Sequence, residues 1–150
     1  MKSRTKLYEI RETNDLSQMQ MAKLLSVSRQ NYSFWEIDAL FIPLKHLNNF
    51  CNIFNVSMDY VFNLTDKNIK TNYITKLDKV EIGKKIKIIM KENNLTQTKL
   101  ANILNTTQST ISSYINGQTL ILTSFAYQIV TQFSVSLDWL CGKTENMKLK

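Results

Sequence analysis

Two short stretches of the chain carry side chains that suit hydrogen bonding to the edges of nucleic-acid bases. They are Arg29, Gln30 and Asn31 in the first stretch, and Gln108, Ser109, Thr110 and Ser113 in the second. A guanidinium matches the O6 and N7 acceptors of guanine, and an amide matches N6 and N7 of adenine. A helix that faces only solvent more often carries Glu and Lys, which are stronger helix formers. We therefore interpret both stretches as candidate base-recognition surfaces.

Catalytic and metal-binding chemistry has no comparable pattern. Cys51 and Cys141 belong to no CxxC pair, and His46 is the only histidine. Isolated residues of this kind do not indicate a metal site or a disulfide framework. Cys51 shares an apolar stripe with Leu47 and Phe54, which favours a buried thiol. With no Gly-rich phosphate loop or nucleophile–base motif either, we expect no enzymatic activity, no metal and no cofactor.

The net charge of +7 is concentrated in the second part of the chain. Residues 1–66 carry seven basic and seven acidic residues, whereas residues 67–150 carry twelve and five. A basic surface favours a polyanionic partner. The alternative is compositional, because Lys, Asn and Ile make up nearly a third of the chain, as translation of an AT-rich genome produces.

Composition favours a helical protein without a membrane segment. Only three Gly and one Pro occur, as expected for an all-α chain with short turns. No apolar run approaches the length of a membrane span, and the N-terminus lacks the apolar segment of a signal peptide. We expect a cytoplasmic protein with no membrane partner.

The chain repeats itself, and the repeat indicates the elements that position the two polar stretches. Residues 7–66 align without gaps with residues 86–145 at an offset of 79, and thirteen of the sixty pairs are identical. Unrelated sequences of this composition would share about four or five. Because the identical pairs fall at the same helix starts and core positions, we predict two copies of one small domain.

Each copy is predicted to contain five short helices. The first spans about residues 4–13 in one copy and about 80–92 in the other. The later helices begin at N-cap residues or at a first-turn proline, which are Ser17, Ser28, Pro43 and Ser57 in the first copy and Thr96, Thr107 and Ser136 in the second. Asp59 and Asp138 lie in the first turn of the fifth helix, where the helix dipole favours an acid.

The second and third helices are joined by a three-residue turn and form a helix-turn-helix. Ala22 and Ala101 are small enough to allow close approach of the two helices. The predicted apolar face of the second helix is Met21, Ala22, Leu24 and Leu25, matched by Leu100, Ala101, Ile103 and Leu104. The polar stretches then lie on the outer face of the third helix.

These features resemble the Cro and phage-repressor type of helix-turn-helix domain, the xenobiotic-response-element family. The first copy carries the resemblance in Leu16-Ser17-Gln18, Ala22, Val27-Ser28-Arg29-Gln30, Ser33, Trp35-Glu36, Pro43 and residues 54–60. The second carries it in residues 82–86, Leu95-Thr96-Gln97, Leu100-Ala101, Thr106-Thr107-Gln108, Asn116-Gly117 and residues 135–140. The resemblance implies an all-α chain of two tandem five-helix lambda-repressor-like helix-turn-helix domains, residues 1–65 and 81–145, joined by a linker of residues 66–80.

The resemblance also implies a function and a set of site residues. The function is that of a sequence-specific transcriptional regulator of double-stranded DNA, a repressor of the phage or mobile-element type, whose third helix enters the major groove. Gln18 and Gln97 match a glutamine that bonds a phosphate and braces this recognition helix. The implied DNA-binding residues are Gln18, Ser28, Arg29, Gln30, Asn31, Phe34, Gln97, Thr107, Gln108, Ser109, Thr110 and Ser113. Phe34 suits either a thymine methyl group or burial against a partner.

One departure from the family pattern lies in the turn between the second and third helices. The family usually has a left-handed glycine there, but this chain has Ser26 and Asn105. Asn tolerates the left-handed conformation better than Ser. We therefore predict an adjusted or slightly strained turn in the first copy.

A second departure is paired. Related repressors have a partly buried ion pair between the first and third helices, which the first copy keeps as Arg11 and Glu36. The second copy has Met90 and Ile115 at the same positions. Losing one partner costs about 3–5 kcal/mol, whereas replacing both with apolar groups can be neutral. We predict that Met90 contacts Ile115.

The predicted linker carries Lys67, Lys70, Lys76 and Lys79. Fully extended, about 14 residues span close to 50 Å, which exceeds the roughly 34 Å between half-sites one helical turn apart. One chain could therefore place both recognition helices on one face of DNA. Tyr73, Ile74 and Leu77 are spaced to form a helical turn that docks on a domain, and a flexible tether is the equal alternative.

A protein-interaction module on the same fold is the second interpretation, for example an antitoxin, an antirepressor or a nuclease inhibitor. Its interface anchors would be the apolar residues predicted to be exposed, Phe34, Phe41, Leu120 and Ile121. A homodimer or a regulatory protein partner stays open in both interpretations, because many relatives dimerise.

Overall fold

The computed structural model describes residues 3–71 and 76–149. The chain divides between residues 75 and 76 into two compact units. The described residues form ten helices and no strand, apart from an isolated bridge between Val135 and Lys148, so the predicted all-α fold is confirmed. No helix in this described part combines the length and apolar character that crossing a bilayer demands.

Each unit contains five helices. In the first unit they are α1 (Leu7–Thr13), α2 (Gln18–Leu24), α3 (Arg29–Glu36), α4 (Leu44–Phe54) and α5 (Met58–Val61). In the second unit they are α6 (Lys79–Glu92), α7 (Gln97–Leu104), α8 (Gln108–Ile115), α9 (Thr123–Phe133) and α10 (Leu137–Leu140). Helices α1 and α2 both pack against α3, and α6 and α7 both pack against α8. The third helix of each unit is therefore held by two neighbours.

Side chains cap the helices at the predicted positions. Ser17 forms a capping box with Gln20 at the start of α2, and Thr96 accepts a backbone N–H at the start of α7. The hydroxyls that cap α3, α5, α8 and α10 are those of Ser28, Ser57, Thr107 and Ser136. Asp78, which the sequence analysis missed, caps α6. These caps satisfy N–H groups that the first turn of a helix leaves unpaired.

The apolar faces of α2 and α7 are narrower than predicted. Met21, Ala22 and Leu25 are buried, but Leu24 is 52% exposed. The matching residue of α7, Ile103, is also exposed. Successive helical residues are turned by about 100°, so Leu24 lies outside the arc that its three buried neighbours span. The predicted burial of Leu24 and Ile103 is therefore wrong.

The first helix of the first unit is shorter than predicted and begins at Leu7 instead of near residue 4. In α6, which matches its predicted range, Gly83 lies so close to α8 that an added Cβ would be 2.4 Å from the carbonyl oxygen of Tyr114. The corresponding residue of the first unit is Arg4, which has a Cβ. Its backbone N–H donates instead to Asp38 Oδ2 at 2.9 Å. Because Arg4 has a Cβ, its backbone cannot approach the third helix as closely as the backbone of Gly83 does. The chain bends before α1.

Ten described residues have a left-handed backbone, and they form five pairs at the offset of 79. The pairs are Asp15 and Asn94, Ser26 and Asn105, Asp38 and Gly117, Asn55 and Ser134, and Asn63 and Gly142. Ser26 keeps the left-handed turn at φ 59°, as Asn105 does at φ 57°. This conformation costs an L residue other than Asn or Asp about 1–2 kcal/mol. The two units thus repeat their backbone more closely than their side chains.

The segment that follows α5 packs onto the first unit. Asn68 Oδ1 accepts a hydrogen bond from the backbone N–H of Ser57 at 2.9 Å. In the second unit, the carbonyl oxygen of Met147 accepts from the backbone N–H of Ser136 at 2.8 Å. Both residues of one bond stand 79 positions from those of the other, so the structural repeat extends beyond residue 66.

The two ends of the predicted linker, residues 66–80, therefore belong to the two units. Asn68 holds its start to the first unit, and its last residues form the cap and first turn of α6. The helical turn predicted over Tyr73, Ile74 and Leu77 lies mostly outside the described residues, because neither Tyr73 nor Ile74 is among them. That expectation stays a prediction.

Candidate nucleic-acid interface

The first turns of α3 and α8 present the two polar stretches found in the sequence. Arg29, Gln30 and Asn31 open α3 and are exposed. Gln108 and Ser109 open α8 and are also exposed. Short polar side chains on an accessible first turn suit contacts to base edges, and the N–H groups there suit phosphates. Each unit therefore offers one helix end of this kind.

The other predicted residues of these helices differ in accessibility. Ser28 and Thr107 are exposed, although each hydroxyl already accepts a backbone N–H as an N-cap. Thr110 is half-buried and its hydroxyl lies 2.9 Å from that of Thr107. Phe34 and Ser113 are also half-buried. Thr110 is accordingly less accessible to a ligand than Gln108 or the residues of the first turn of α3.

Gln118 joins this surface in the second unit, although the sequence analysis missed it. Ser113 Oγ donates to Gln118 Oε1 at 3.3 Å, and Lys79 Nζ donates to the backbone oxygen of Gln118 at 3.1 Å. Gln118 follows α8, which ends at Ile115, so it lies outside the helical pattern of polar residues. Its only signal in the sequence is its place directly after Gly117, which ends the helix with a left-handed residue.

An ion pair ties α1 to the end of α3 in the first unit, as predicted. Arg11 Nε donates to Glu36 Oε2 at 2.6 Å, and Arg11 Nη2 donates to Glu36 Oε1 at 3.1 Å. Only 8% and 4% of the two side chains are exposed. Burial alone would raise the pKa of Glu36, but hydrogen bonds from Arg11 and Gln18 and the charge of Arg11 lower that pKa below its ordinary value. The Glu36 carboxylate is therefore ionised at neutral pH.

Gln18 connects the ion pair to the protein surface. Its Nε2 donates to Glu36 Oε1 at 3.1 Å, and its Oε1 accepts from Arg29 Nη1 at 3.3 Å. A chain of hydrogen bonds thus runs from the buried end of α3 to the exposed guanidinium at its start. The sequence indicates Gln18 as an interface residue but does not indicate Glu36 as its partner, because that contact depends on how α2 approaches α3.

The second unit has a simpler arrangement. Gln108 Nε2 donates to Gln97 Oε1 at 2.6 Å, which joins the start of α8 to the start of α7. Met90 and Ile115 are both buried, on helices that pack against each other. Neither carries a charge or an acceptor, so the amide of Gln97 has no counterpart of the Glu36 carboxylate. Direct contact between Met90 and Ile115 stays a prediction.

The apolar residues predicted to be interface anchors are less exposed than expected. Ile121 is buried, so its predicted exposure is wrong. Phe34, Phe41 and Leu120 are half-buried, and Phe41 stacks on Phe62 with ring centroids 6.3 Å apart. Exposed apolar surface next to α3 belongs instead to Ile37 and Leu40, which are 65% and 54% exposed.

Packing accounts for the cysteines and the histidine. Cys51 and Cys141 are buried, and the ring of His46 stacks on Trp35 with centroids 5.4 Å apart. Burial and the neighbouring charge of Lys45 lower the pKa of His46. In the part of the chain that the structure describes, no group of three or more His, Cys, Asp or Glu residues is placed to hold a metal ion.

Comparison with known families identifies a helix-turn-helix in the second unit. Residues 86–140 match a family model described as Helix-turn-helix. The match begins within α6 and ends with α10, so it includes α7, α8 and the left-handed turn at Asn105. No curated protein matches the chain. The family match supports binding of double-stranded DNA by the second unit.

Proposed function

We propose that the protein is a sequence-specific transcriptional regulator of double-stranded DNA, of the repressor type and without enzymatic activity of its own. Both α3 and α8 would enter the major groove, so the chain acts as two tandem helix-turn-helix domains. The observation that carries the proposal is the family match over residues 86–140, which contains the exposed Gln108 held by Gln97. The first unit supports it with the same helix order and the same left-handed positions.

The two helices carry different recognition chemistry. Arg29 offers a guanidinium that suits guanine O6 and N7, and Gln108 offers an amide that suits adenine N6 and N7. Gln30 and Ser109, which follow them, are also exposed and differ from each other. Two different helices suit a target whose two halves differ in sequence, in contrast to the palindromes that symmetric dimers recognise.

Selection from random duplex DNA tests the proposal. The wild-type chain should enrich one sequence, and Arg29→Ala and Gln108→Ala should each lower affinity for it by about 1–3 kcal/mol and relax the preference at one position. Gln132→Ala, at an exposed glutamine of α9, is the matched control and should change neither. If the wild type enriches no sequence, the proposed regulator function is wrong.

A protein-interaction role for the first unit is the second candidate. The exposed side chains of Ile37 and Leu40 favour it, since they form apolar surface next to α3. This role predicts that Ile37→Ser with Leu40→Ser abolishes binding to a protein partner and leaves DNA affinity unchanged. A loss of DNA affinity in that variant, with Arg29→Ala harmless, would assign the surface to DNA positioning instead.

A further inference from the structure

We propose that Glu36 is a positioning residue that sets the base preference of Arg29 through the amide of Gln18. The inference rests on the proposed function, because Arg29 is taken to contact a base. It assigns a specificity-determining role to a buried carboxylate that does not touch DNA. It also assigns the two units different degrees of control over their recognition residues.

The first step is the orientation of the Gln18 amide. A carboxylate only accepts hydrogen bonds, and Glu36 is ionised and held on two sides by Arg11. Gln18 must therefore turn its NH₂ group towards Glu36, where Nε2 lies 3.1 Å from Oε1. The assignment of nitrogen and oxygen in this amide thus follows from the chemistry of its partner.

The second step is the effect on Arg29. With its NH₂ group directed at Glu36, Gln18 presents its carbonyl oxygen to the start of α3, where Arg29 Nη1 donates to it at 3.3 Å. A guanidinium has five N–H donors in a fixed plane, so one bond to Gln18 restrains the plane and leaves other N–H groups accessible. A restrained, planar fork favours the paired acceptors of guanine over bases that offer a single acceptor.

The second unit lacks this control. Ile115 stands at the position of Glu36 and offers no acceptor, so nothing on α8 requires one orientation of the Gln97 amide. Gln97 and Gln108 form a bond between two amides, and the same pair is equally satisfied with donor and acceptor exchanged. We therefore expect a sharper base preference at the position of Arg29 than at that of Gln108.

The chain itself supplies the variant that tests this inference. Arg11→Met with Glu36→Ile gives the first unit the pair that the second unit already has at residues 90 and 115. In the whole chain of 150 residues this paired variant should keep its fold and lose two- to tenfold in discrimination for the guanine whose preference Arg29→Ala abolishes, about the worth of one hydrogen bond. Discrimination at the position assigned by Gln108→Ala should not change.

A second variant guards against a folding defect. Gln18→Leu leaves the ion pair intact and removes the connecting amide, so it should lower guanine discrimination by a similar factor, measured as the affinity ratio between matched and substituted duplexes. Unchanged discrimination in Gln18→Leu, or an equal loss at both base positions in the paired variant, overturns the inference. Either result leaves the proposed function in place if the wild type still selects a sequence, and a wild type that selects none refutes both.

Discussion

At the residue scale, the buried ion pair of Arg11 and Glu36 is connected by hydrogen bonds to a residue at the protein surface. Two buried ions are costly to desolvate, and apolar residues of similar size often do as well. The second unit has Met90 and Ile115 at the matching positions, and both are buried. The first unit keeps the charged pair, and there the carboxylate also binds Gln18, which an apolar residue cannot do.

The ion pair should make the first unit less stable at acid pH. The pKa of Glu36 lies below its ordinary value of 4.5 in the folded state, so its contribution to the free energy of unfolding is complete above about pH 4.5 and is lost as pH falls through the lowered pKa. Urea unfolding measures the free energy of unfolding at pH 7 and at pH 3. This free energy should decrease more between the two pH values in the wild type than in the Arg11→Met/Glu36→Ile variant. Equal losses in the two proteins would contradict this assignment.

At the scale of elements, one glycine determines how closely two helices pack. Gly83 lets the backbone of α6 approach the end of α8, where a Cβ would lie 2.8 Å from the carbonyl oxygen of Ile115. Arg4 holds the same place in the first unit, and there the chain bends and pairs with Asp38 instead. The helix that contains Gly83 thus includes this position, whereas α1 begins three residues after Arg4.

Gly83→Ala should destabilise the second unit by about 1–3 kcal/mol, because the added methyl group forces α6 and α8 apart. Hydrogen exchange should show the loss in the amides of α6 and α8, with the amides of α1–α5 unaffected. Lys84→Ala, at the exposed neighbouring residue, is the control and should change little. If hydrogen-exchange protection of α6 and α8 in Gly83→Ala is the same as in the wild type, the two helices can shift apart without loss of stability.

The elements that the sequence predicted correctly are those with local causes. Ser17 and Thr96 cap their helices through hydroxyls that reach N–H groups three residues ahead, so position alone is sufficient. The bend at Arg4 and the bond from Gln18 to Glu36 arise only when distant segments meet. The exposure of Leu24 was missed because spacing identifies a face but not its width.

At the scale of the whole molecule, most of the net charge lies outside the residues that are proposed to contact bases. Residues 67–150 carry the entire net charge of +7, while the exposed residues that open α3 and α8 are mostly uncharged. Electrostatic attraction to phosphates is independent of the DNA sequence and weakens as the salt concentration rises. Contacts to base edges instead determine which DNA sequence is preferred. Affinity and specificity should therefore respond to different substitutions.

The double variant Arg29→Ala/Gln108→Ala should lose the preference at two base positions but keep salt-dependent binding to any duplex. Its affinity losses should add to within about 0.5 kcal/mol, since the two residues belong to separate units. The slope of log affinity against log salt should fall by no more than about one, because a single charge is removed. Titrations at several salt concentrations measure both quantities, and a collapse of the slope would place the phosphate contacts at these two residues.

The mismatch between the two buried pairs has a consequence for folding. Adjacent repeats can misassemble when a helix from one copy enters the other, and these two units share five left-handed positions. If α1 took the place of α6, Arg11 would be buried against α8, which has Ile115 in place of a carboxylate, at a cost of about 3–5 kcal/mol. Swapping α1 and α6 is therefore less stable than correct assembly. If both units had the same pair of residues at these positions, this energy difference would be absent and refolding would select against the swap less strongly.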